Sequence, residues 1–188
     1  MSNIPIIDLS YEDYLRCGYL TEFYDAECFI DERIKNENIL LFHVINKDAL
    51  KIIDTLKNDS KKLLDKKNDD GETSLHISVF MSDYNISEIL LNHGADPNAK
   101  DDNNQTPFHA VAFMDDKKFV DLMAKHGGDI NSQDDYGNTP LHLAVVIKNS
   151  KMVKILLEYK CDRSIKNTVE LTAKDYAFDD KKILQMFQ

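Results

Sequence analysis

All six histidines of this 188-residue chain fall on one ruler: His43, His76, His109 and His142 are successively 33 residues apart, and so are His93 and His126. Imidazole can bind metal, relay protons or hydrogen-bond to backbone, and the regular spacing bears on which. Equivalent residues in stacked helical units lie about 8–10 Å apart, whereas zinc ligands must all approach within about 2 Å of one ion. The histidine ladder therefore predicts no metal site and no cofactor. Paired carboxylates, Asp69-Asp70, Asp101-Asp102 and Asp134-Asp135, also recur at this interval or one residue less. They read first as solvated turn tips and second as charge contacts for a partner, without the ligand spacing of a calcium-binding EF-hand loop. There is no nucleophile elbow, phosphate-cradling glycine loop or His-Glu-x-x-His helix, so no catalytic residue is assigned.

Whole blocks repeat with the histidines. Thr73, Thr106, Thr139 and Thr172 share the 33-residue interval, as do Asp96, Asp129 and Asp162, and Ser78, Val111, Ala144 and Ala177. A fixed period of this length is the signature of a solenoid. Thr139 can cap a helix that begins at Pro140, where the missing N–H costs nothing. Leu141, Ala144 and Val145, then Val153, Leu156 and Leu157, recur at helical spacing, so two helices per block can bury apolar faces against each other. Gly94 and Gly127 stand where a helix must end on a left-handed residue, and Lys160 replaces that glycine in the following block, predicting a weaker cap. Units of this size bury their faces only by stacking.

The blocks Asp70-Gly71-Glu72-Thr73-Ser74-Leu75-His76, Asn103-Asn104-Gln105-Thr106-Pro107-Phe108-His109 and Tyr136-Gly137-Asn138-Thr139-Pro140-Leu141-His142, with His93-Gly94-Ala95-Asp96-Pro97-Asn98 after the first, resemble the ankyrin repeat. The resemblance implies an all-α solenoid of stacked helix-turn-helix units, and a histidine that hydrogen-bonds backbone in neighbouring turns. It divides the chain into a divergent unit at 36–67, full units at 68–100, 101–133 and 134–166, and a truncated terminal unit at 167–188, in which Asp175 takes the histidine slot. Residues 1–35 are not a repeat. Ser10 and Asp13 suggest a capping box for a helix through Tyr14, Leu15, Tyr19 and Leu20, a second short helix follows Asp25, and the pair is expected to form a helical N-terminal lid.

One periodic feature is unusual for the family. At the end of the first helix of each unit, where variable and often polar residues face the groove, stand Phe80-Met81, Phe113-Met114 and Val146-Ile147. Such side chains suit either a desolvated interface centre or the core between helices, and both readings stand. The expected partner-binding set is these six together with Asp101, Asp102, Asp134, Asp135 and Tyr136.

The chain carries 33 acidic and 23 basic residues, a formal charge of −10. That balance repels nucleic acid and anionic lipid and suits a basic protein partner; half the excess lies in residues 1–36. No apolar run approaches the roughly 20 residues of a membrane span. The first 25 residues suit neither a signal nor a transit peptide, so the expected location is the cytoplasm, with diffusion into the nucleus open to a 21.6 kDa chain. Cys17, Cys28 and Cys161 are odd in number and lack Cys-x-x-Cys spacing, which predicts reduced thiols. The segment Cys28 to Asn38, with Phe42-His43 and Leu63 to Asn68, resembles the viral ankyrins (vankyrins) of polydnaviruses. Those proteins are similar to IκB and Cactus, and the resemblance implies a decoy that holds Rel-family NF-κB dimers inactive. No Asp-Ser-Gly-x-x-Ser phosphodegron is present, and no Pro-, Glu-, Ser- and Thr-rich tail is expected after the terminal unit. The alternative is a bacterial or viral effector recruiting another host protein, one that controls ubiquitination or apoptosis.

Overall fold

The computed structural model describes residues 38–188, so the expected lid at 1–35, with Cys17 and Cys28, lies outside the described residues. The described part is all-α. Its elements are α1 (Ile39–Ile45), α2 (Ala49–Leu64), α3 (Ser74–Phe80), α4 (Tyr84–Asn92), α5 (Pro107–Val111), α6 (Lys117–Lys125), α7 (Pro140–Val146), α8 (Ser150–Glu158), a 3₁₀ turn (Ala173–Ala177) and α9 (Lys181–Met186). The first helices of successive units, α1, α3, α5, α7 and the 3₁₀ turn, pack one on the next; the second helices, α2, α4, α6, α8 and α9, do the same behind them. Leu75, Phe108 and Leu141 at one position of the period, and Leu90, Met123 and Leu156 at another, are fully or almost fully buried. Each contributes roughly 2–3 kcal/mol by leaving water.

Every full unit starts in the same way. Thr73, Thr106 and Thr139 hold extended backbone as N-caps and form capping boxes with the histidine three residues on. The Thr73 N–H donates to Nδ1 of His76 (3.1 Å), and the Thr73 hydroxyl lies 2.9 Å from the same nitrogen. On the other side of the ring, Nε2–H donates to the Gln105 carbonyl of the next unit at 3.2 Å. A carbonyl only accepts, so the tautomer is settled: Nε2 carries the proton and Nδ1 is the acceptor. His109 repeats this with Thr106 and the Asn138 carbonyl (3.1 Å), and His142 with Thr139 and the Leu171 carbonyl (3.2 Å). In the terminal unit Asp175 accepts from the Thr172 N–H (2.8 Å) and hydroxyl (2.7 Å). Burial pushes His76 and His109 down to about 4 and also lowers His142, while their bonds to carbonyls pull the other way.

A second chain of bonds runs along the far side of the stack. The Asp96 and Asp129 carboxylates hold the N–H two residues on, and the side-chain carbonyls of Asn98 and Asn131 accept the N–H of Asp129 (2.7 Å) and Asp162 (2.8 Å) in the next unit. The second helices of the full units end as expected. Gly94 and Gly127 follow the C-caps at φ +93° and +83°. The bonds that close these turns are Ala95 N–H to Leu90 (3.0 Å) and Gly128 N–H to Met123 (2.8 Å). Lys160 takes the same left-handed conformation at φ +56°, and its closing bond, Cys161 N–H to Leu156, is 3.4 Å. Cys161 itself is buried, which pushes its thiol up to about 11.

One unit departs from the period. α5 stops at Val111, two residues short of the corresponding ends of α3 and α7. The turns after α3 and α7 close through left-handed Ser82 and Lys148; after α5 the chain instead tightens through Ala112, Phe113 and Met114, each N–H bonding three residues back. Asn149 from the next unit fastens this loop by donating to the carbonyls of Ala112 (3.2 Å) and Met114 (2.8 Å).

Two outcomes are expected. Lys160→Gly removes the penalty of a side chain in left-handed backbone and raises stability by about 0.5–1 kcal/mol in chemical denaturation. His76 and His109 protonate near 6.5 when unfolded but only near 4 when folded, so the unfolded chain binds more protons between these values. Their contribution is complete above pH 6.5 and lost as pH falls toward 4, at up to about 3 kcal/mol each for His76 and His109. The midpoint temperature of the wild type should therefore fall more steeply over that range than that of His109→Gln.

Candidate partner-binding surface

Between units the chain turns through a hairpin built on one side chain. Asn68, Asp101, Asp134 and Asn167 stand 33 residues apart, and each turns its Oδ1 back onto its own hairpin. Asp101 Oδ1 accepts from the N–H of Asn103 (2.9 Å) and Gln105 (2.8 Å). Asp134 Oδ1 does the same with Tyr136 (2.9 Å) and Asn138 (2.7 Å). Asn68 and Asn167 make the equivalent pairs of bonds. Asp134 is only 6% exposed and Asp101 is half-buried. Burial raises both carboxyl groups above the usual range, against the backbone bonds that lower them. These two carboxylates shape the turn, and the outward charge of the tips belongs to their exposed neighbours Asp102 and Asp135.

The tips are stitched into a row. Asp102 N–H donates to the Asp70 carbonyl (3.1 Å), Asp135 N–H to Asn103 (3.0 Å) and Thr168 N–H to Tyr136 (2.9 Å). Asn104, left-handed at φ +56°, donates its side-chain amide to the Asp135 carboxylate of the next tip. Tyr136 projects from this row and is 56% exposed. Val169, at the same position one unit later, is 48% exposed beside it. Sequence reasoning named Tyr136 and missed Val169; the 33-residue ruler carried one step further would have found it.

The apolar stripe divides. Phe80, Met81, Phe113, Val146 and Ile147 are half-buried, while Met114 is buried at 8% exposure, drawn inward by the early end of α5. Neither Phe80 nor Phe113 is without a partner. Between α5 and α6 the shortened helix leaves an open depression of about 600 Å³ whose lining includes Phe113, Met114 and Phe119, with Asp115 and Lys151 at its rim, 4.0 Å apart. The arrangement offers an acidic ledge of hairpin tips and, along the first helices, a row of half-exposed apolar side chains, suited to holding another macromolecule through area and charge.

Among the described residues, no three histidine, cysteine or acidic side chains gather where they could hold a metal ion. His76, His109 and His142 have both ring nitrogens engaged within the stack. No helix among these residues is long and apolar enough to cross a membrane.

No curated protein matches the sequence significantly. The family described as "Ankyrin repeats (3 copies)" matches residues 13–101 and again 96–167. With those spans covering most of the sequence, and with the paired helices, capping histidines and stitched hairpins in place, the chain belongs to the ankyrin-repeat family, whose members are protein-interaction modules.

Proposed function

We propose that this protein is a stoichiometric decoy of the IκB kind, which masks a basic surface of a host Rel-homology NF-κB dimer and thereby suppresses immune signalling. The observation that carries the reading is the composition of the hairpin ledge. Exposed carboxylates at Asp102 and Asp135 share the row of tips with an exposed aromatic ring at Tyr136 and the exposed Val169. A lysine- and arginine-rich partner segment, such as a nuclear-localisation stretch, meets complementary charge on such a ledge and buries its stems on the apolar side chains. The half-exposed stripe adds apolar contact on the first-helix side. The overall charge of −10 favours fast encounter with a basic partner. The resemblance of the Cys28 to Asn38 segment to vankyrins supplies the choice of Rel proteins.

Purified protein mixed with insect and mammalian Rel-homology dimers is expected to bind them at submicromolar concentration and to displace them from DNA. Absence of binding at micromolar concentration transfers the protein to the alternative, an effector that engages a different host protein. Tyr136→Ser combined with Val169→Ser is expected to weaken the complex about tenfold, or about 1.4 kcal/mol, with little change in thermal midpoint. Phe80→Ser with Phe113→Ser separates the two readings of the stripe: lost binding in a folded protein marks an interface, and lost folding marks core.

A further inference from the structure

Glu72 is 4% exposed, an unusual position for a carboxylate. It closes the hairpin of the first full unit, where Gln105, Asn138 and Leu171 stand in the following ones. Its Oε2 accepts from the Asn68 side-chain amide at 2.8 Å. By the period, the residue at this position is paired across each seam with the turn-building residue of the next hairpin, 29 positions later. At the third seam the contact is amide to amide, with Asn167 donating to Asn138 Oδ1 at 3.0 Å. At the second seam the pair is Gln105 and Asp134. At the first seam both members are acids, Glu72 and Asp101. The hairpins there are in close contact: Asp102 N–H bonds to Asp70, and a Cβ on Gly71 would overlap the Asp102 carboxyl group.

We propose that Glu72 and Asp101 form a proton-controlled clasp at the seam between the first two full units, closed when the pair shares one negative charge and loosened when it carries two. The proton that opens it leaves to water. Burial, followed by the fields of Asp70 on its own turn and Asp101 on the opposing hairpin, raises Glu72 to about 7, with the Asn68 amide pulling the other way. Asp101 is raised as well, by burial and by Asp102 and Asp135. The other charged groups at this seam do not neutralise the pair. His76 on α3 is neutral near pH 7, and Lys67 directs its ammonium to the Lys100 carbonyl at 2.7 Å.

The sign is opposite to that of the histidines. A carboxyl group whose folded value lies above its unfolded one stabilises the fold fully below the unfolded value, about 4.5, and loses that contribution as pH rises through 7. The first seam is thus predicted to loosen as pH rises from mildly acidic to just above 7, and to change little beyond, while the second seam is unaffected. This inference goes beyond the proposed function and holds whatever the partner is.

The test is residue-resolved hydrogen exchange on the whole chain from about pH 6 to about pH 8, comparing Asp102 N–H at the first seam with Asp135 N–H at the second. In the wild type, protection of Asp102 relative to Asp135 is expected to fall about tenfold. Glu72→Gln should abolish the fall and Asp101→Asn should reduce it. Both replacements are residues that the chain itself uses at those positions, Gln105 in one case and Asn68 and Asn167 in the other. The same fall in Glu72→Gln, or a parallel fall at Asp135, overturns the proposal. Should either variant fail to fold, carbon-detected titration of the wild-type Glu72 carboxyl decides: a midpoint near 7 supports the clasp, and one in the ordinary carboxylate range refutes it.

Discussion

The structure depends on a histidine that is bonded on both sides. One ring nitrogen accepts from the threonine that begins its own helix, and the other donates to a carbonyl in the following unit. A neutral imidazole has one donor and one acceptor at opposite corners of a rigid ring, so a single side chain can both start a helix and fix the distance to the next one. Lysine offers no acceptor, and a carboxylate offers no donor. With His76, His109 and His142 in place, the threonines, helix starts and hairpins of successive units are held in one register, and the apolar faces of the helices meet without further adjustment.

The two outer ladders follow from that register. Once the first helices are spaced, the hairpin tips come close enough for Asp102, Asp135 and Thr168 to bond to the tip before them, and Asn98 and Asn131 reach the unit after them. The two seams between full units are therefore each closed at three separated places: by an imidazole in the middle, by backbone at the tips and by an asparagine on the far side. Such contacts are all between nearest neighbours, as expected of a repeat array. The ledge proposed to face a partner is made rigid by this, which would lower the ordering cost of binding.

Much of this was legible in the residues. The threonine and histidine interval predicts the helix starts, and Gly94, Gly127 and Lys160 take the left-handed backbone their positions imply, because local chemistry alone decides those sites. Residues whose role depends on a neighbouring unit were harder to read. Asp101 and Asp134 look like half of an acidic tip, yet they face inward because the backbone N–H groups of the same turn collect one carboxylate each. Met114 belongs to the apolar stripe by spacing, and its burial follows from a helix that ends early and from Asn149 one unit away. Glu72 carries no mark in the sequence beyond standing where its equivalents are amides or leucine. Its burial is a property of the seam, so only the packed structure reveals it.

Asp175 reproduces half of the histidine's work. It caps its own turn through Thr172, but a carboxylate has no proton to pass forward, whatever lies beyond. Phe178 in the same unit is 72% exposed, whereas its equivalents Val79, Ala112 and Val145 are covered. The array therefore has a grain: the coupling that the imidazoles carry forward through three successive units stops at Asp175.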